Sequence, residues 1–425
     1  MQPKVYQSNE HPIDPALLDP EALQVVSRLR SAGFEAYLVG GSVRDLLAQQ
    51  TPKDFDISTS ALPEEIKKVF QRQCIIIGRR FRLAHIRFGH KILEVATFRR
   101  GETEGEDLII HDNEWGSAAE DVSRRDFTIN GLFYDPSDHS IIDYVGGVED
   151  VKKRLIRCIG DPATRFKQDP VRMLRLLKFR ARTGFEIDKP SREALLACRE
   201  EIVKSSPARI LEELLRMLES NAAAPFLMLM AESRMLELLI PPLAHFVLGP
   251  HGHELFKYLS ITDKINQNTP KKPIDRAILV ACLLFPILEV ELQHQYSLQQ
   301  RTPHIGEVMS LTSHVVQAVL NDSFSHFPRR ISTTTAFILT TQYRLTPLSG
   351  RRHPRPKMLR MKEFDLALKF LKIRALVNPE HMDAYQFWKN LYRQHGPSHT
   401  HNHSHGHSHG HSHGHHPRGQ RHKKS

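Results

Sequence analysis

Residues 37–58 read YLVGGSVRDLLAQQTPKDFDIS. An apolar run, Tyr37-Leu38-Val39, ends at the pair Gly40-Gly41. Arg44 and Asp45 follow in a helix opening, and Asp54-Phe55-Asp56 lies in a second short apolar run. The order is strand, glycine turn, helix, strand. Side chains at i and i+2 of a strand share a face, so Asp54 and Asp56 stand side by side while Phe55 turns to the core. Two adjacent carboxylates repel, and are costly to keep dry without a cation between them. A glycine turn before a helix lets phosphate oxygens meet backbone N–H groups. The stretch therefore proposes a metal-dependent nucleotide site.

Around it, residues 35–150 mix short β-rich runs with short helices. The pattern predicts strands at 36–39, 54–58, 74–77, 84–88, 92–98 and 141–144. A helix is expected over 63–71, with Ser60 as its cap. Another is expected over 20–32, with Leu23, Val26 and Leu29 at helical spacing and Gly33 as its stop. Residues 1–20 are polar and proline-containing and read as a loose leader. Residues 102–118 are acidic, without periodicity, and read as a loop. Beyond about 150 the period is helical to about 345, with no convincing strand. The expected fold class is α+β, an N-terminal head followed by an all-α part. The divisions are a leader (1–20), a head (21–150), a helical neck (151–215) and a helical body (216–345). A basic arm with C-terminal helices bearing Trp388 and Tyr392 (346–397) and a low-complexity tail (398–425) complete the chain.

The chain has 425 residues and a formal charge of +11, of which Arg418, Arg421, Lys423 and Lys424 of the tail supply four. The remainder is still basic, which suits a polyanionic partner. Cys74, Cys158, Cys198 and Cys282 are far apart, which argues against a zinc knuckle or disulfide framework and fits a reducing compartment. The N-terminus has no apolar core of a signal peptide. The longest apolar run, residues 277–288, contains Pro286 and is shorter than the ~20 residues that span a bilayer. A soluble, cytoplasmic, monomeric protein without a transmembrane segment is the expectation.

Nucleotidyl transfer uses two divalent ions, one lowering the pKa of the attacking hydroxyl and one holding the triphosphate. Three carboxylates usually hold such a pair. Glu94, an acid inside the strand pattern ILEVATF, is one candidate for the third; its plainer reading is an edge-strand acid or a partner for Arg99. Downstream lies Arg124-Arg125-Asp126-Phe127-Thr128-Ile129-Asn130. Arginine suits triphosphate oxygens by its bidentate fork, Asn130 suits a ribose hydroxyl, and Asp126 suits a metal or the arginines. The competing reading is a helix N-terminus capped by Asp126, and spacing alone weights the two evenly. In Asp169-Pro170-Val171-Arg172, Asp169 reads as an N-cap and Pro170 as the first helical residue. Asp169 and Arg172 then form an acceptor and donor pair able to read a base edge, although an ordinary i,i+3 ion pair explains the spacing as well.

Taken together, LVGGSVRDLL, KDFDIST, RRDFTINGLFYD, IIDYVGGVEDV and IGDPATRFKQDPVRMLRLLKF resemble the class II tRNA nucleotidyltransferase/poly(A) polymerase family over roughly residues 36–190. IIGRRFRLAHIRFG and LEVATFRR are more similar to its bacterial poly(A) polymerase branch. The resemblance implies a polymerase beta-like nucleotidyltransferase head, a neck that reads the incoming base, and a helical body that grips RNA. By position it assigns Asp54 and Asp56 to two Mg2+ ions and Asp126 to the catalytic centre, while Glu94 stays a metal candidate from its strand pattern alone. It assigns Gly40, Gly41, Arg44 and Asp45 to the triphosphate, and the chemistry of Arg125 and Asn130 read above places them alongside. Asp169 and Arg172, with Arg175 nearby, face the base. Gly131 departs from the serine or alanine frequent there.

The implied activity is template-independent addition of AMP from ATP to the 3′ ends of messenger, regulatory or transfer RNA, with release of pyrophosphate. The rivals are a CCA-adding enzyme using CTP and ATP, and a catalytically inactive RNA-binding protein. No histidine–aspartate pair at helical spacing suggests phosphohydrolysis. The tail carries eleven histidines, mostly alternating. Such density binds transition metals, but a solvating tail is the preferred reading.

Overall fold

The computed structural model describes residues 2–78, 82–100, 114–269, 273–297, 301–347 and 356–396. Most of the acidic 102–118 stretch, much of the basic arm and the histidine-rich tail lie outside the described residues. The head is built on eight strands: β1 (Lys4–Tyr6), β2 (Ala36–Val39), β3 (Asp56–Thr59), β4 (Cys74–Ile77), β5 (Leu83–Phe88), β6 (Lys91–Thr97), β7 (Leu132–Asp135) and β8 (Ser140–Asp143). They form one mixed sheet in the order β1-β8-β7-β2-β3-β6-β5-β4, in which only β3 and β6 run parallel. β2 is central, and Ala36, Leu38 and Val39 are buried. This is the fold class expected from the sequence.

Local chemistry explains the elements. The helix Pro20–Ser31 starts where the Asp19 carboxylate accepts from the N–H groups of Glu21 and Ala22, both at 3.0 Å. Ala22, Val25, Val26 and Leu29 then repeat at helical spacing and are buried. Two expectations fail nearby. The described part of the expected leader, residues 2–20, is not loose, because β1 pairs with β8 and Tyr6, Ile13 and Leu18 are buried. Ser60 does not cap the helix Pro63–Phe70; its hydroxyl accepts from Glu35 N–H, and the Glu65 carboxylate takes the Leu62 N–H.

The motif IIDYVGGVED is a structural brace. The buried Asp143 carboxylate accepts from the N–H groups of Val145, Gly146, Gly147 and Val148 at 2.8–3.1 Å. It thereby folds a tight turn onto residues 128–130. A Cβ at Gly147 would lie 2.2 Å from the Thr128 carbonyl oxygen, and a backbone atom cannot yield as a side chain can. Gly147→Ala is expected to cost about 2 kcal/mol, read as a lower urea midpoint, and to displace the short turn that carries Asn130.

Beyond the sheet the chain is helical. The helices Val171–Thr183, Pro207–Leu218, Arg276–Ser297 and Arg329–Leu345 are its main framework, followed by Phe364–Val377 and Met382–His395. Two 2-residue strands, Leu155–Ile156 and Glu186–Ile187, pair in parallel within this part, against the expectation of none. One apolar core runs from Tyr6 in β1 to Ile373, so head and helices share packing. Phe127 meets Phe179 edge-on at 5.6 Å across that junction. The helix containing Pro286 is longer than its apolar run suggests. Residues Arg276–Tyr296 are long and apolar enough to cross a membrane by length and composition, and 72% of that window is buried inside the protein. Trp388 belongs to a second small core, fully buried with its indole N–H donating to the Leu345 carbonyl at 2.8 Å. The four cysteines are separate buried thiols.

Candidate active site

Gly40 follows β2 with φ of +67°, a conformation that disfavours side chains. A Cβ there would also meet Arg125 Nη1 at 3.3 Å. The helix Gly41–Leu47 follows, and its Arg44 is buried. The Arg44 guanidinium donates to Asp45 Oδ1 at 2.6 and 2.9 Å and to Asn130 Oδ1 at 2.6 Å. Asn130 Nδ2 donates in turn to Asp126 Oδ1 at 3.0 Å, and that oxygen also accepts the Phe127 N–H. Asn130 is thus engaged on both ends of its amide by Arg44 and Asp126.

β3 begins at Asp56, so Asp54 lies in the segment leading into the strand rather than within it. Phe55 packs against the core, as the alternation requires. The parallel register Ile57↔Val95 puts Asp56 level with Glu94 on β6. Glu94 is exposed, contrary to the buried acid its strand pattern suggests. The Asp56 carboxyl has open surface yet protein on several sides. Its pKa rises to about 6, first through desolvation and then through the charges of Glu94 and Asp54, with Arg125 opposing them. Three mutually repelling carboxylates are thereby gathered at the end of β3. Among the described residues no tight cluster of three or more His, Cys, Asp or Glu ligands stands ready-made.

Arg125 connects this group to the glycine turn. Its guanidinium donates to Asp121 Oδ2 at 2.9 and 3.2 Å, to Ser58 Oγ at 3.1 Å and to the Asn130 carbonyl at 3.2 Å. Behind it arginines crowd together. Arg165 donates to the carbonyls of Ser123 and Arg125, and Arg172 to that of Arg124. Burial, then the neighbouring Arg99 and Arg172, push the pKa of Arg124 down to about 10. Burial and Arg172 bring Arg165 to about 9, against the pull of Asp169. Guanidinium groups nevertheless stay charged at neutral pH, so the crowding amounts to a positive field.

The helix Val171–Thr183 closes the site from the other side. Its N-terminal neighbour Asp169 does not cap it, since no side-chain cap bond forms there. Asp169 Oδ2 instead accepts from Arg209 Nη2 at 2.9 Å and lies 3.9 Å from Arg172 Nε. Asp169 Oδ1 is buried without a hydrogen-bond partner among the described residues, a costly state for a carboxylate oxygen unless a ligand completes it. Arg175 and Lys178 share the buried Glu213, at 3.0 and 2.7 Å. Burial works to raise the Glu213 pKa, but the two cations outweigh it and hold it below the ordinary value. Phe179 carries the Arg44 guanidinium 5.1 Å from its ring centre. One turn further, Arg182 lies within electrostatic reach of Arg44, Asp45 and Asp54.

The structure therefore brings Asp54, Asp56 and Glu94 together, and Gly40, Gly41, Arg44, Asp45, Arg125, Asn130 and Asp126 together behind them. Asp169, Arg172 and Arg175 form the facing wall. Sequence reasoning missed Phe179 and Arg182, although the spacing 172, 175, 179, 182 marks one helix face. It also missed Arg209 and Glu213, for which no local pattern exists.

Comparison with known proteins gives the family. Residues 36–157 match the poly A polymerase head domain. Residues 184–247 match the probable RNA and SrmB-binding site of polymerase A, and residues 309–425 match the polymerase A arginine-rich C-terminus. Poly(A) polymerase I of Escherichia coli O6:H1 is 35% identical over 412 residues, covering 91% of this chain and 85% of that protein. The CCA-adding enzyme of Lactobacillus helveticus is 40% identical over 199 residues, covering 46% and 49%. The crystal structure of the Bacillus stearothermophilus CCA-adding enzyme in complex with CTP aligns with TM-score 0.57 at 25% identity, covering 88% of this chain and 84% of that one. The head has the nucleotidyltransferase fold. The chain belongs to the poly(A) polymerase family of nucleotidyltransferases.

Proposed function

We propose that this protein transfers AMP from ATP to RNA 3′-hydroxyls without a template and releases pyrophosphate. The observation that carries this over CCA addition is the extent of the likeness. The match to poly(A) polymerase I covers 91% of the chain, whereas that to the CCA-adding enzyme covers 46%. The arginine-rich C-terminal match adds to it.

Asp54, Asp56 and Glu94 offer hard oxygen donors whose repulsion a cation relieves, so they fit Mg2+. Bound there, Mg2+ would neutralise phosphate charge and lower the pKa of the attacking hydroxyl. The rest of the work is positioning and charge complementarity. The side-chain-free Gly40-Gly41 turn admits the triphosphate beside Arg125. Asn130 and Asp45 hold Arg44 in one orientation, and Asp126 holds Asn130. Asp169 Oδ1 and the fork of Arg172 face the base edge, the carboxylate as acceptor and the guanidinium as donor.

Labelled ATP or CTP, offered with an unstructured RNA or a tRNA lacking its 3′ end, tests the assignment. The expected result is long A tails on the unstructured RNA, with CTP incorporated at least tenfold more slowly. Incorporation that needs both nucleotides and stops after three residues on tRNA would identify a CCA-adding enzyme instead.

A further inference from the structure

The sheet face that carries Asp56 does not end at the catalytic carboxylates. On β4, β5 and β6, residues Cys74, Ala84, Ile86, Leu93 and Val95 turn into the core. Their alternates point to the opposite face, where Ile75, Ile77 and Ile92 are 38%, 46% and 47% exposed. Isoleucines at that exposure on one continuous patch are unusual for a solvent face. The register aligns the patch with the site. Ile75 pairs with His85 and His85 with Glu94, and Glu94 is level with Asp56. That row crosses four adjacent strands, roughly 14 Å at the usual strand spacing. Beside it, Arg87 pairs with Ile92 in the row that leads towards Asp54. Arg87 is exposed and makes no hydrogen bond or ion pair among the described residues. His85 Nε2 lies 3.6 Å from Glu94 Oε1, which ties the row to the carboxylates.

We propose that this open face, centred on Ile75, His85, Arg87 and Ile92, is the bed for the terminal nucleotides of the RNA being extended. The inference rests on the polymerase reading above. The 3′-hydroxyl has to arrive at Asp54 and Asp56, and the patch begins there. Among the described residues, the glycine turn with Arg125 suits the triphosphate and the pair Asp169 and Arg172 suits the base, which leaves this face for the RNA. Flat base faces pack on the isoleucines and on the His85 ring, and the unpaired Arg87 meets a phosphate, the pairing of apolar platform and cation that single strands use. Contacts of this kind carry little sequence information, which suits an enzyme that adds to many 3′ ends.

The test uses the full-length Arg87→Ala variant and the Arg87→Ala/Ile92→Ser double variant. Both sites are exposed, and a thermal melt checks that the fold is kept. KM for an unstructured oligoribonucleotide is expected to rise about tenfold in the single variant and further in the double. KM for ATP should stay within about twofold, and the slope of log affinity against log salt should fall by about one for Arg87. A folded double variant with unchanged KM for RNA, or with its defect in KM for ATP, would overturn the inference and leave the patch to a protein partner. Asp56→Asn serves as the separate control. If it is inactive while the patch variants behave as wild type, only the RNA bed is wrong; if wild type extends no RNA, the polymerase reading itself falls.

Discussion

Asp56→Asn will abolish AMP transfer, by at least about a thousandfold, and will leave the metal-free protein more stable than wild type. The first half follows from the site. Asp56 stands level with Glu94 at the start of β3, where the carboxylates gather, and groups that place charge in a phosphoryl-transfer site act on this scale. The second half follows from the proton balance. The folded pKa of about 6 lies above the ordinary value of 3.8, so the folded state takes up a proton between those limits. The charged carboxylate therefore costs nothing below about pH 4, costs progressively more as pH rises towards 6, and costs its full amount above that. Because the side chain is exposed, solvent screening reduces the effect to about 1 kcal/mol or less, a melting temperature about 2 °C higher for the variant at pH 7.5 in chelator. At pH 4 the gap should close. Added Mg2+ should raise the melting temperature of wild type and not that of the variant. A loss of stability in Asp56→Asn at pH 7.5 would show that the carboxylate is a structural partner rather than a functional one.

Asp169→Ala is expected to lower kcat/KM for ATP by about 10²–10³-fold and to flatten the preference for ATP over CTP. Asp169 Oδ1 is buried without a partner among the described residues, so a bound base edge would supply its hydrogen bond. Sites that hold such a group for a ligand reject analogues strongly, and lose that power when the group is removed. Its other oxygen holds Arg209, whose side chain is 49% exposed and regains water when released. The cost to the fold comes from Arg172, left buried beside Arg165 without the Asp169 charge. The variant should consequently melt earlier yet remain folded, with the nucleotide preference as the diagnostic readout. An Asp169→Ala protein that keeps wild-type preference would place base selection elsewhere on the neck.

Much of this site was legible because its parts are local. The strand Ala36–Val39, the glycine pair and the Asp-x-Asp alternation depend on neighbours within a few residues, and period and turn chemistry report on those. The failures share a cause. β1 is three residues long and becomes a strand only by pairing with the distant β8, and β7 is placed by the distant β2 as well as by its hairpin partner β8. Asp169 has the chemistry of an N-cap, but Arg209, forty residues on, competes for its carboxylate. Glu213 anchors Arg175 and Lys178 across the gap between two helices, which no sequence period reveals. Glu94 was legible as an acid in a strand, while its exposure depended on which face of the sheet stays uncovered. Gly131 is explained only by packing, since a Cβ there would lie 2.9 Å from Val145 and 3.2 Å from Val122.

In the proposed reaction, carboxylates at the start of β3 and on β6 act with the facing Asp169 and Arg172 to transfer AMP to an RNA 3′ end. A single reaction tests it most directly: full-length protein, Mg2+, ATP and one RNA with a free 3′-hydroxyl, with added adenylate and released pyrophosphate counted together, beside the same RNA blocked at its 3′ end. The expected result is one pyrophosphate per added AMP, none with the blocked RNA, and none from Asp56→Asn. Release of ADP and phosphate, or chain extension retained by Asp56→Asn, would contradict it.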